Sequence, residues 1–304
     1  MKVLVTGGRG LLGSAITEQK SHEIVSISRD DVDLLDFGAT VSLFAEEKPD
    51  AVIHAAALVG GIGGNLMKSG EYFSGNTTVN LNVLEAARVA GVSNLVSFMS
   101  TCVFPDKANY PLTVDQLHLG PPHPSNFGYA YSKRMLDIQT RAYNQQWGLN
   151  YKVLVPANMY GPHDNFDLGE GHVIPALIHR THLAKENSQD LEVWGSGKPL
   201  REFIYSRDVA RIALLALNEG LPEPLIISNG IETSIRELVN LIVDLMDFRG
   251  EVVWNESQPD GQYRKPSDTS KLDERFPELD FTPLPAGLAD TVNWFLAEFP
   301  NVRA

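Results

Sequence analysis

The stretch "VTGGRGLLG", residues 5–13, decides the fold that the rest of the sequence has to accommodate. It continues the apolar run at 2–7, and its Gly7, Gly10 and Gly13 have the spacing G-x-x-G-x-x-G. Between a strand and a helix, such glycines let the backbone approach a pyrophosphate, whose charge the helix N-terminus favours. A glycine pattern alone is weak evidence for a nucleotide-binding loop, because a glycine-rich turn can also occur without a ligand. The strand–loop–helix context predicts a dinucleotide-binding loop.

Apolar runs rich in Val and Ile alternate with helix-length segments along the first half of the chain. Such runs are typical of strands buried on both faces of a parallel sheet. The alternation therefore predicts an α/β protein with a Rossmann-type doubly wound parallel sheet. The predicted strands are 2–7, 23–28, 51–57, 94–100 and 151–158. The predicted helices are 10–19, 37–47, 72–90 and 129–147.

The alternation loosens after Tyr160, where a loop marked by glycine and proline spans 161–171. We therefore expect a cofactor-binding Rossmann domain at 1–165, to which a later segment near 203–232 returns. The remainder, 166–304, is expected to form mainly a smaller C-terminal α/β substrate domain.

Three local signals shape the expected structure of the second half. Gly220 is the expected stop of a helix that begins at 206. Ser234 and Glu237 have the spacing of a capping box before an apolar helix. Prolines gather from Pro259 onward, which predicts a looser C-terminal part.

Composition excludes several classes of partner. Of 304 residues, 43% are hydrophobic and 21% charged, as in ordinary globular proteins, and the net charge is −13. An acidic chain disfavours a nucleic-acid partner, which selects a basic face, although backbone N–H groups can still bind a phosphate. No apolar run approaches the roughly 18 residues of a membrane span. The N-terminus lacks a signal-peptide core, and a single cysteine fits a reducing compartment, so we expect a cytoplasmic protein.

The end of the second predicted strand, "SISRDD" at 26–31, bears on the choice between NAD and NADP. An acidic residue there binds ribose hydroxyls, whereas an arginine accepts a 2′-phosphate. Arg29 precedes Asp30 and Asp31, and Arg9 stands inside the glycine loop. The two arginines favour NADP(H), although the adjacent aspartates would suit NAD, and Arg29 alone would suit a solvated surface position.

Tyr129 and Lys133 form a Y-x-x-x-K pair on a predicted helix, so they share one face. A lysine ammonium there is expected to lower the phenol pKa and to bind the cofactor ribose. Ser100, at the end of a predicted strand, would polarise the same substrate oxygen. Tyr131 is the competing tyrosine, but Met135 stands four residues after it. Together with the glycine loop, the pair predicts a proton-transfer site.

This combination resembles the extended short-chain dehydrogenase/reductase family, whose members act mainly on nucleotide-linked sugars. The resemblance implies the Rossmann fold and the joint role of Ser100, Tyr129 and Lys133. Further stretches resemble the GDP-L-fucose synthase subfamily, up to about residue 210 and more weakly over 258–272. They are "GGRGLLGSAI", "AAALVGGIGGN", "STCVFP", "GYAYSK", "NMYGPHDNF", "GHVIPAL" and "VWGSGKPLREF".

The resemblance assigns an epimerase pair to Cys102 and His172. A 4-keto group acidifies the protons on C3 and C5, and a thiol and an imidazole on opposite faces can remove and return them. Hydride from NADPH then reduces C4, and Tyr129 protonates the oxygen. The implied activity converts GDP-4-keto-6-deoxy-D-mannose to GDP-L-fucose. Taken alone, Cys102 would suit a buried packing position and His172 a structural one.

The resemblance also implies residues for cofactor and substrate. Those expected to contact NADP(H) are Gly7, Arg9, Gly10, Leu11, Gly13, Arg29, Ala55, Ala56, Ala57, Lys133, Pro156, Asn158, Met159 and His172. Those expected to hold the GDP-sugar are Asn158, Arg180, Trp194, Arg201 and Lys265. The guanidinium fork of Arg201 suits a diphosphate, whereas core packing is the alternative for Trp194 and a solvated loop for Lys265.

His172, His179 and His182 lie in one segment. No carboxylate or cysteine ligand pattern accompanies them, so we expect no metal site.

Four alternative functions compete with this activity, and the sequence disfavours the first two. A 4,6-dehydratase would place a carboxylate pair where Cys102 and Val103 stand, and a 4-epimerase would not use Cys102 and His172. A non-epimerising 4-keto reductase of another GDP-linked deoxy sugar or heptose is the more serious rival. A non-catalytic NADP(H)-binding partner protein is the alternative from a different class. The resemblance further implies a homodimer, with helices 72–90 and 129–147 pairing across a four-helix bundle.

Overall fold

The structure, a computed structural model, describes residues 1–258, 260 and 262–303. Its strands are β1 (Lys2–Thr6), β2 (Glu23–Ile27), β3 (Ala51–His54), β4 (Asn94–Phe98), β5 (Asn150–Pro156), β6 (Asn158–Tyr160), β7 (Leu191–Trp194), β8 (Leu200–Tyr205), β9 (Leu225–Ile227), β10 (Glu232–Ser234) and β11 (Val252–Asn255). Its helices are α1 (Leu11–Thr17), α2 (Phe37–Glu47), α3 (Ile62–Met67), α4 (Ser69–Val89), α5 (Phe127–Trp147), α6 (Val173–Glu186), α7 (Ser206–Ala216), α8 (Ile235–Leu245), α9 (Ser270–Arg275) and α10 (Leu284–Glu298).

The main sheet has six parallel strands in the order β2-β1-β3-β4-β5-β9. The chain moves from β1 to β2 on one side and then crosses to β3 on the other. The strand order therefore reverses between β1 and β3, and in open α/β sheets a ligand binds outside the carboxyl ends of the strands at this point. The prediction of a doubly wound parallel sheet is confirmed.

Helices cover both faces of this sheet, as its apolar strands require. On one face, Phe44 of α2, Val83 of α4 and Leu136 of α5 join a core cluster with Leu4 of β1. On the other face, α1 and α7 contribute to a second cluster that includes Val5 of β1. The sheet is thus a rigid platform whose loops at one edge are free to build a site.

The second half of the chain adds two small sheets, in the orders β10-β8-β6 and β11-β7. Helices α6, α8 and α10 pack on them around a third cluster, which contains Phe166, Phe203, Leu238 and Phe295. Strand β9 leaves this region and pairs with β5 at the edge of the main sheet. The chain therefore crosses between the two regions more than once.

The capping box is confirmed at the start of α8. The Oγ of Ser234 accepts a hydrogen bond from the N–H of Glu237 at 3.1 Å, and the Glu237 carboxylate accepts from the N–H of Ser234 at 2.9 Å. The expected stop at Gly220 is wrong, because α7 ends at Ala216. The N–H groups of Asn218 and Glu219 bond carbonyls three residues back, so the helix tightens into a turn before reaching the glycine.

The expectation of a looser C-terminal part is also wrong for α10, a helix of 15 residues. Pro285 stands in its first turn, where a missing N–H costs nothing. Leu288, Val292 and Phe295 then bury one stripe at helical spacing. Pro259 lies outside the described residues. No helix in the described part of the chain combines the length and the apolar character needed to cross a membrane.

Candidate active site

A cavity of about 1060 Å³ lies at the carboxyl ends of β1, β3, β4 and β5, between the main sheet and the second half of the chain. Every residue named above as a candidate for catalysis, cofactor binding or substrate binding lines this cavity. The structure therefore brings together side chains that lie more than two hundred residues apart in the sequence.

The glycine loop forms the wall beneath the start of α1. Gly7 has a φ of +74°, and a Cβ there would lie 2.7 Å from the backbone N of Ala56. A Cβ on Gly13 would lie 2.1 Å from the carbonyl oxygen of Gly7. Gly10 caps α1 in an extended conformation. These close backbone approaches leave a cradle without side chains, which fits a dinucleotide pyrophosphate.

Charged groups gather at the end of β2, where the adenosine ribose of a dinucleotide would lie. Arg9 forms an ion pair with Asp30. The Asp31 carboxylate accepts hydrogen bonds from the hydroxyl and the N–H of Ser28 at 2.7 and 2.8 Å, which lowers the pKa of Asp31. Both carboxylates are thus engaged within the protein, while Arg9 and Arg29 line the cavity. This arrangement suits a 2′-phosphate better than a free ribose diol.

Helix α5 presents Tyr129 and Lys133 on its cavity face. The Lys133 side chain is buried, its Nζ lies 6.0 Å from the centre of the Tyr129 ring, and burial lowers the pKa of Lys133 to about 8. Burial also raises the pKa of Tyr129, and a negative charge on Cys102 adds to the effect. The expectation that Lys133 lowers the phenol pKa is therefore wrong for this structure, because burial determines the shift and Lys133 is not among its causes. Tyr129 is protonated at neutral pH and can donate a proton.

The loop after β4 positions Ser100 and Cys102. Ser100 caps a single 3-10 turn, Thr101–Val103, and its Oγ accepts a long hydrogen bond of 3.4 Å from the N–H of Cys102. Cys102 is a free, half-buried thiol in the cavity wall. The turn thus holds a hydroxyl and a thiol two residues apart beside Tyr129.

His172 stands at the other side of the cavity, as the N-cap residue of α6. Its side chain is half exposed towards the cavity, and its Nδ1 lies 4.0 Å from Oδ1 of the buried Asp164. Burial is the largest influence and lowers the pKa of His172, but the nearby Asp164 carboxylate outweighs burial and raises the pKa overall. At 4.0 Å the contact is too long for a hydrogen bond, and it is an ion pair when His172 is protonated.

The candidate substrate residues form the part of the wall that belongs to the second half of the chain. The Trp194 ring is 55% exposed, which excludes core packing, and the Arg180 guanidinium lies 4.9 Å above it. Burial lowers the pKa of Arg201, and a charge on Cys102 opposes this, which places the two groups within electrostatic reach. Lys265 is half-buried, so a fully solvated position is also excluded. Asn158 donates to the carbonyl of Glu202 at 2.8 Å and thereby ties β6 to β8.

The sequence-based set omits many lining residues of the cavity, and three of these have ionisable side chains that bear on the site. Asp164 lies in the motif "NMYGPHDNF", and its short separation from His172 in the sequence is the signal that points to a contact between them. Arg303 reaches the cavity from the segment after α10, and no motif marks it in the sequence. His54 is buried below the cofactor cradle, bonded to the Thr6 hydroxyl at 2.7 Å, and burial lowers the pKa of His54 to about 3.

The remaining histidines of the 172–182 segment serve packing. His179 Nδ1 donates to the carbonyl of Phe166 at 2.8 Å, and the His182 ring packs edge-on against Phe299. Within the described residues, no group of three His, Cys, Asp or Glu side chains has the arrangement of a metal site.

Comparison with known proteins shows which family this chain belongs to. The profile of the "NAD dependent epimerase/dehydratase family" matches residues 3–227. A GDP-L-fucose synthase of Dictyostelium discoideum is 44% identical over 99% of this chain and 97% of its own length. A crystal structure of a GDP-L-fucose synthetase from Naegleria fowleri bound to NADP is 39% identical, with a TM-score of 0.93 over 100% of this chain and 95% of that one.

A third comparison concerns the reductase alternative. A GDP-6-OMe-4-keto-L-xylo-heptose reductase from C. jejuni has a TM-score of 0.89 but is only 27% identical, over 98% of each chain. The identity to the synthases is markedly higher over an equal span. The chain therefore belongs to the NAD-dependent epimerase/dehydratase family and, within it, to the GDP-L-fucose synthases.

Proposed function

We propose that this protein converts GDP-4-keto-6-deoxy-D-mannose to GDP-L-fucose by inverting C3 and C5 and then reducing C4. The observation that carries the proposal is that Cys102 and His172 line the same cavity as Tyr129 and Lys133. One pair supplies the proton exchange that inversion needs, and the other supplies the proton that reduction needs.

The epimerisation uses the acidity that the 4-keto group confers on C3 and C5. Cys102 on one wall and His172 on the other are the two groups that remove a proton from the carbon and return one to its opposite face. As the C–H bond breaks, its electron pair moves into an enolate whose charge rests on the C4 oxygen. The hydroxyls of Ser100 and Tyr129 stabilise that oxygen by hydrogen bonding.

The reduction uses the same oxygen. The cofactor is NADP(H), which supplies the hydride for C4 when bound. This choice is supported by the glycine cradle, by Arg9 in the glycine loop and Arg29 after β2, and by the NADP-bound relative. Tyr129 gives its phenolic proton to the C4 oxygen as the carbonyl becomes a hydroxyl. The high pKa of Tyr129 keeps that proton in place until the oxygen becomes basic. Lys133 holds a cation beside the phenol and binds the cofactor ribose.

The substrate is held by its diphosphate and base at the far wall of the cavity. Arg201 can engage two diphosphate oxygens with its fork, and Lys265 adds a second positive charge. Arg180 lies over the exposed Trp194 ring, which leaves an apolar surface for the nucleotide.

The reductase and binding-protein alternatives are less favoured. A heptose reductase has no use for a thiol and an imidazole in its cavity, yet Cys102 and His172 both line this one. A protein that only binds NADP(H) has no use for the catalytic Tyr129, which is also present. Both alternatives nevertheless predict distinct experimental results.

We also propose a homodimer that works in a reducing compartment such as the cytoplasm. Apolar side chains are exposed on the outer faces of α4 and α5, among them Leu81 and Ile138, which are 48% and 47% exposed. These two helices pack side by side on one face of the main sheet, so a second subunit can cover both. The proposed role of Cys102 requires a free thiol, which an oxidising compartment would not preserve.

Product analysis tests the proposed function. The protein is incubated with NADPH and GDP-4-keto-6-deoxy-D-mannose, and the product is identified by NMR. We expect GDP-L-fucose. A 6-deoxy sugar that keeps its original configuration at C3 and C5 would identify a plain 4-keto reductase. Tight NADPH binding without any product, from this or another keto sugar, would favour the binding protein.

A further inference from the structure

Asp164 is a buried carboxylate without a complete set of hydrogen bonds. Its side chain is 3% exposed, and its Oδ1 accepts from the N–H of Asn165 at 2.7 Å. Its Oδ2 is buried and has no hydrogen-bond partner within the described part of the chain. Because a buried charge is costly unless it is paired, such a group requires an explanation.

The group that faces Asp164 is the imidazole of His172. Their separation, between Oδ1 and Nδ1, is 4.0 Å, which is about 1 Å longer than a hydrogen bond. Catalytic hydrogen bonds are commonly long before substrate binds and tighten in the complex. Both residues line the cavity, with the carboxylate on the side of the ring that bears Nδ1.

The loop that carries Asp164 is fixed by packing on both sides. The preceding His163 has a φ of +64°, and its ring lies 4.6 Å from that of Trp294. The following Phe166 is fully buried against Phe295, and its carbonyl accepts from His179 at 2.8 Å. The carboxylate is therefore held by the core around α6 and α10.

We propose that Asp164 is the positioning residue of His172: its carboxylate accepts the Nδ1–H, and Nε2 is left to exchange protons with the sugar. The inference rests on the proposed function and deepens it. When His172 acts as acid, the Nε2–H bond breaks, the proton and the enolate electron pair form the new C–H bond, and Nδ1–H stays bonded to Asp164. The carboxylate also stabilises the imidazolium that forms when Nε2 takes a proton, as the raised pKa of His172 indicates.

Other charges near the ring are accounted for. Arg303, from the segment after α10, opposes Asp164 and lowers the pKa of His172. Glu170, two residues before the histidine, is paired with Lys68 at 2.5 Å. Arg180, on the same helix, is engaged with Trp194 and with the carbonyl of Leu168. The carboxylate that acts on His172 is therefore that of Asp164.

An NMR titration of the full chain with NADP⁺ tests this positioning without relying on turnover. The protein is labelled with ¹⁵N-histidine, the His172 signals are assigned by their loss in H172Q, and wild type is compared with D164N. The matched control is E170Q, which removes a charge from the same loop without removing a contact to His172. We expect the wild-type ring to carry its neutral-form proton on Nδ1, and the pKa of His172 to fall in D164N but not in E170Q.

Exchange kinetics in deuterated water provide the second measurement. We expect D164N to slow deuterium incorporation at C3 and C5 roughly ten- to a hundredfold. This is part of the rate enhancement that general acid–base catalysis supplies. NADPH affinity should stay unchanged, and the limb of the pH profile that reports His172 should move to lower pH.

The two measurements separate the inference from the proposed function. An Nε2-protonated wild-type ring, or a pKa of His172 that is unchanged in D164N, would overturn the positioning role whatever the activity. A normal NMR response in a protein that exchanges no label would leave the Asp164–His172 pair standing and refute the epimerase instead. If D164N does not fold, the tautomer of the wild-type ring alone decides.

Discussion

Burial gives the two members of the Tyr129–Lys133 pair different properties. It raises the pKa of Tyr129, which makes the phenol a proton donor, and it lowers the pKa of Lys133 to about 8. The Y-x-x-x-K spacing predicted the shared helix face, which the structure contains. It did not predict the direction of the tyrosine shift, because that depends on how much of the cavity wall closes over the ring.

The K133M variant should stabilise the cofactor-free protein while it removes activity. Lys133 is 4% exposed, and no carboxylate among the described residues lies within 4 Å of its Nζ, so its charge is buried unpaired. A pKa drop from 10.5 to about 8 corresponds to at most roughly 3 kcal/mol at neutral pH. We expect K133M to have the higher unfolding free energy at pH 7, measured by urea unfolding without NADPH.

The pH dependence of the unfolding free energy tests whether this difference comes from the charge of Lys133. Between pH 8 and 10.5 the unfolded chain holds the Lys133 proton and the folded chain does not, so wild-type stability rises with pH in this window. The advantage of K133M should therefore shrink towards pH 10.5. The matched control is K152M, which removes another buried lysine, away from the cavity, and should retain NADPH oxidation. If the unfolding free energy of K133M exceeds that of wild type by the same amount at every pH, the role given to the Lys133 charge is contradicted.

At the scale of elements, the first strand, the glycine loop and α1 form one unit. The loop exists in this form because Gly7 and Gly13 touch backbone where any side chain would collide. Such a unit is predictable from sequence, since its glycines have a fixed spacing and its strand is a continuous apolar run. The three-residue strands β6, β9 and β10 cannot be predicted in this way, because their extended form depends on partners far along the chain.

The G13A variant should weaken NADPH binding. Its Cβ would lie 2.1 Å from the Gly7 oxygen and 2.7 Å from the Gly8 Cα, so α1 has to move away from the loop. We expect NADPH affinity to fall at least roughly tenfold and the free energy of unfolding to fall by about 1–3 kcal/mol. Fluorescence titration and urea unfolding measure the two effects.

The control for that change is G70A, in the first turns of α4. Nothing lies within 4 Å of a Cβ at Gly70, and alanine favours a helix over glycine by about 1 kcal/mol. G70A should therefore bind NADPH normally and be no less stable than wild type. Equal NADPH affinity in G13A and G70A would contradict the role given to the loop.

At the scale of the whole molecule, the site is formed by two regions. The main sheet contributes the cofactor cradle, Ser100, Cys102 and the α5 pair, and the second half of the chain contributes His172, Arg180 and Arg201. Motif resemblance predicted the members of this set, but not Asp164 or Arg303, whose roles depend on where two distant segments meet. It also missed α10, whose apolar stripe is visible in the sequence at Leu288, Val292 and Phe295.

The proposed dimer makes a separate prediction for the molecule as a whole. A glutamate at Leu81 or Ile138 would place a charge in the apolar surface that α4 and α5 present. We expect L81E and I138E to shift the protein from dimer to monomer in light-scattering chromatography. The control L296E, at a residue that is 47% exposed on α10, should remain dimeric. A wild-type protein that elutes as a monomer would refute the dimer directly.

The most direct test of the central claim, that one cavity holds two separable proton chemistries, is deuterium labelling of two variants. Wild type, Y129F and C102S are each given GDP-4-keto-6-deoxy-D-mannose and NADPH in deuterated water, and label at C3 and C5 is followed by NMR beside NADPH oxidation. We predict that Y129F still incorporates label while its NADPH oxidation falls about a hundredfold or more, and that C102S loses label at C3 and C5. Oxidation of NADPH by wild type without label at either carbon would contradict the account.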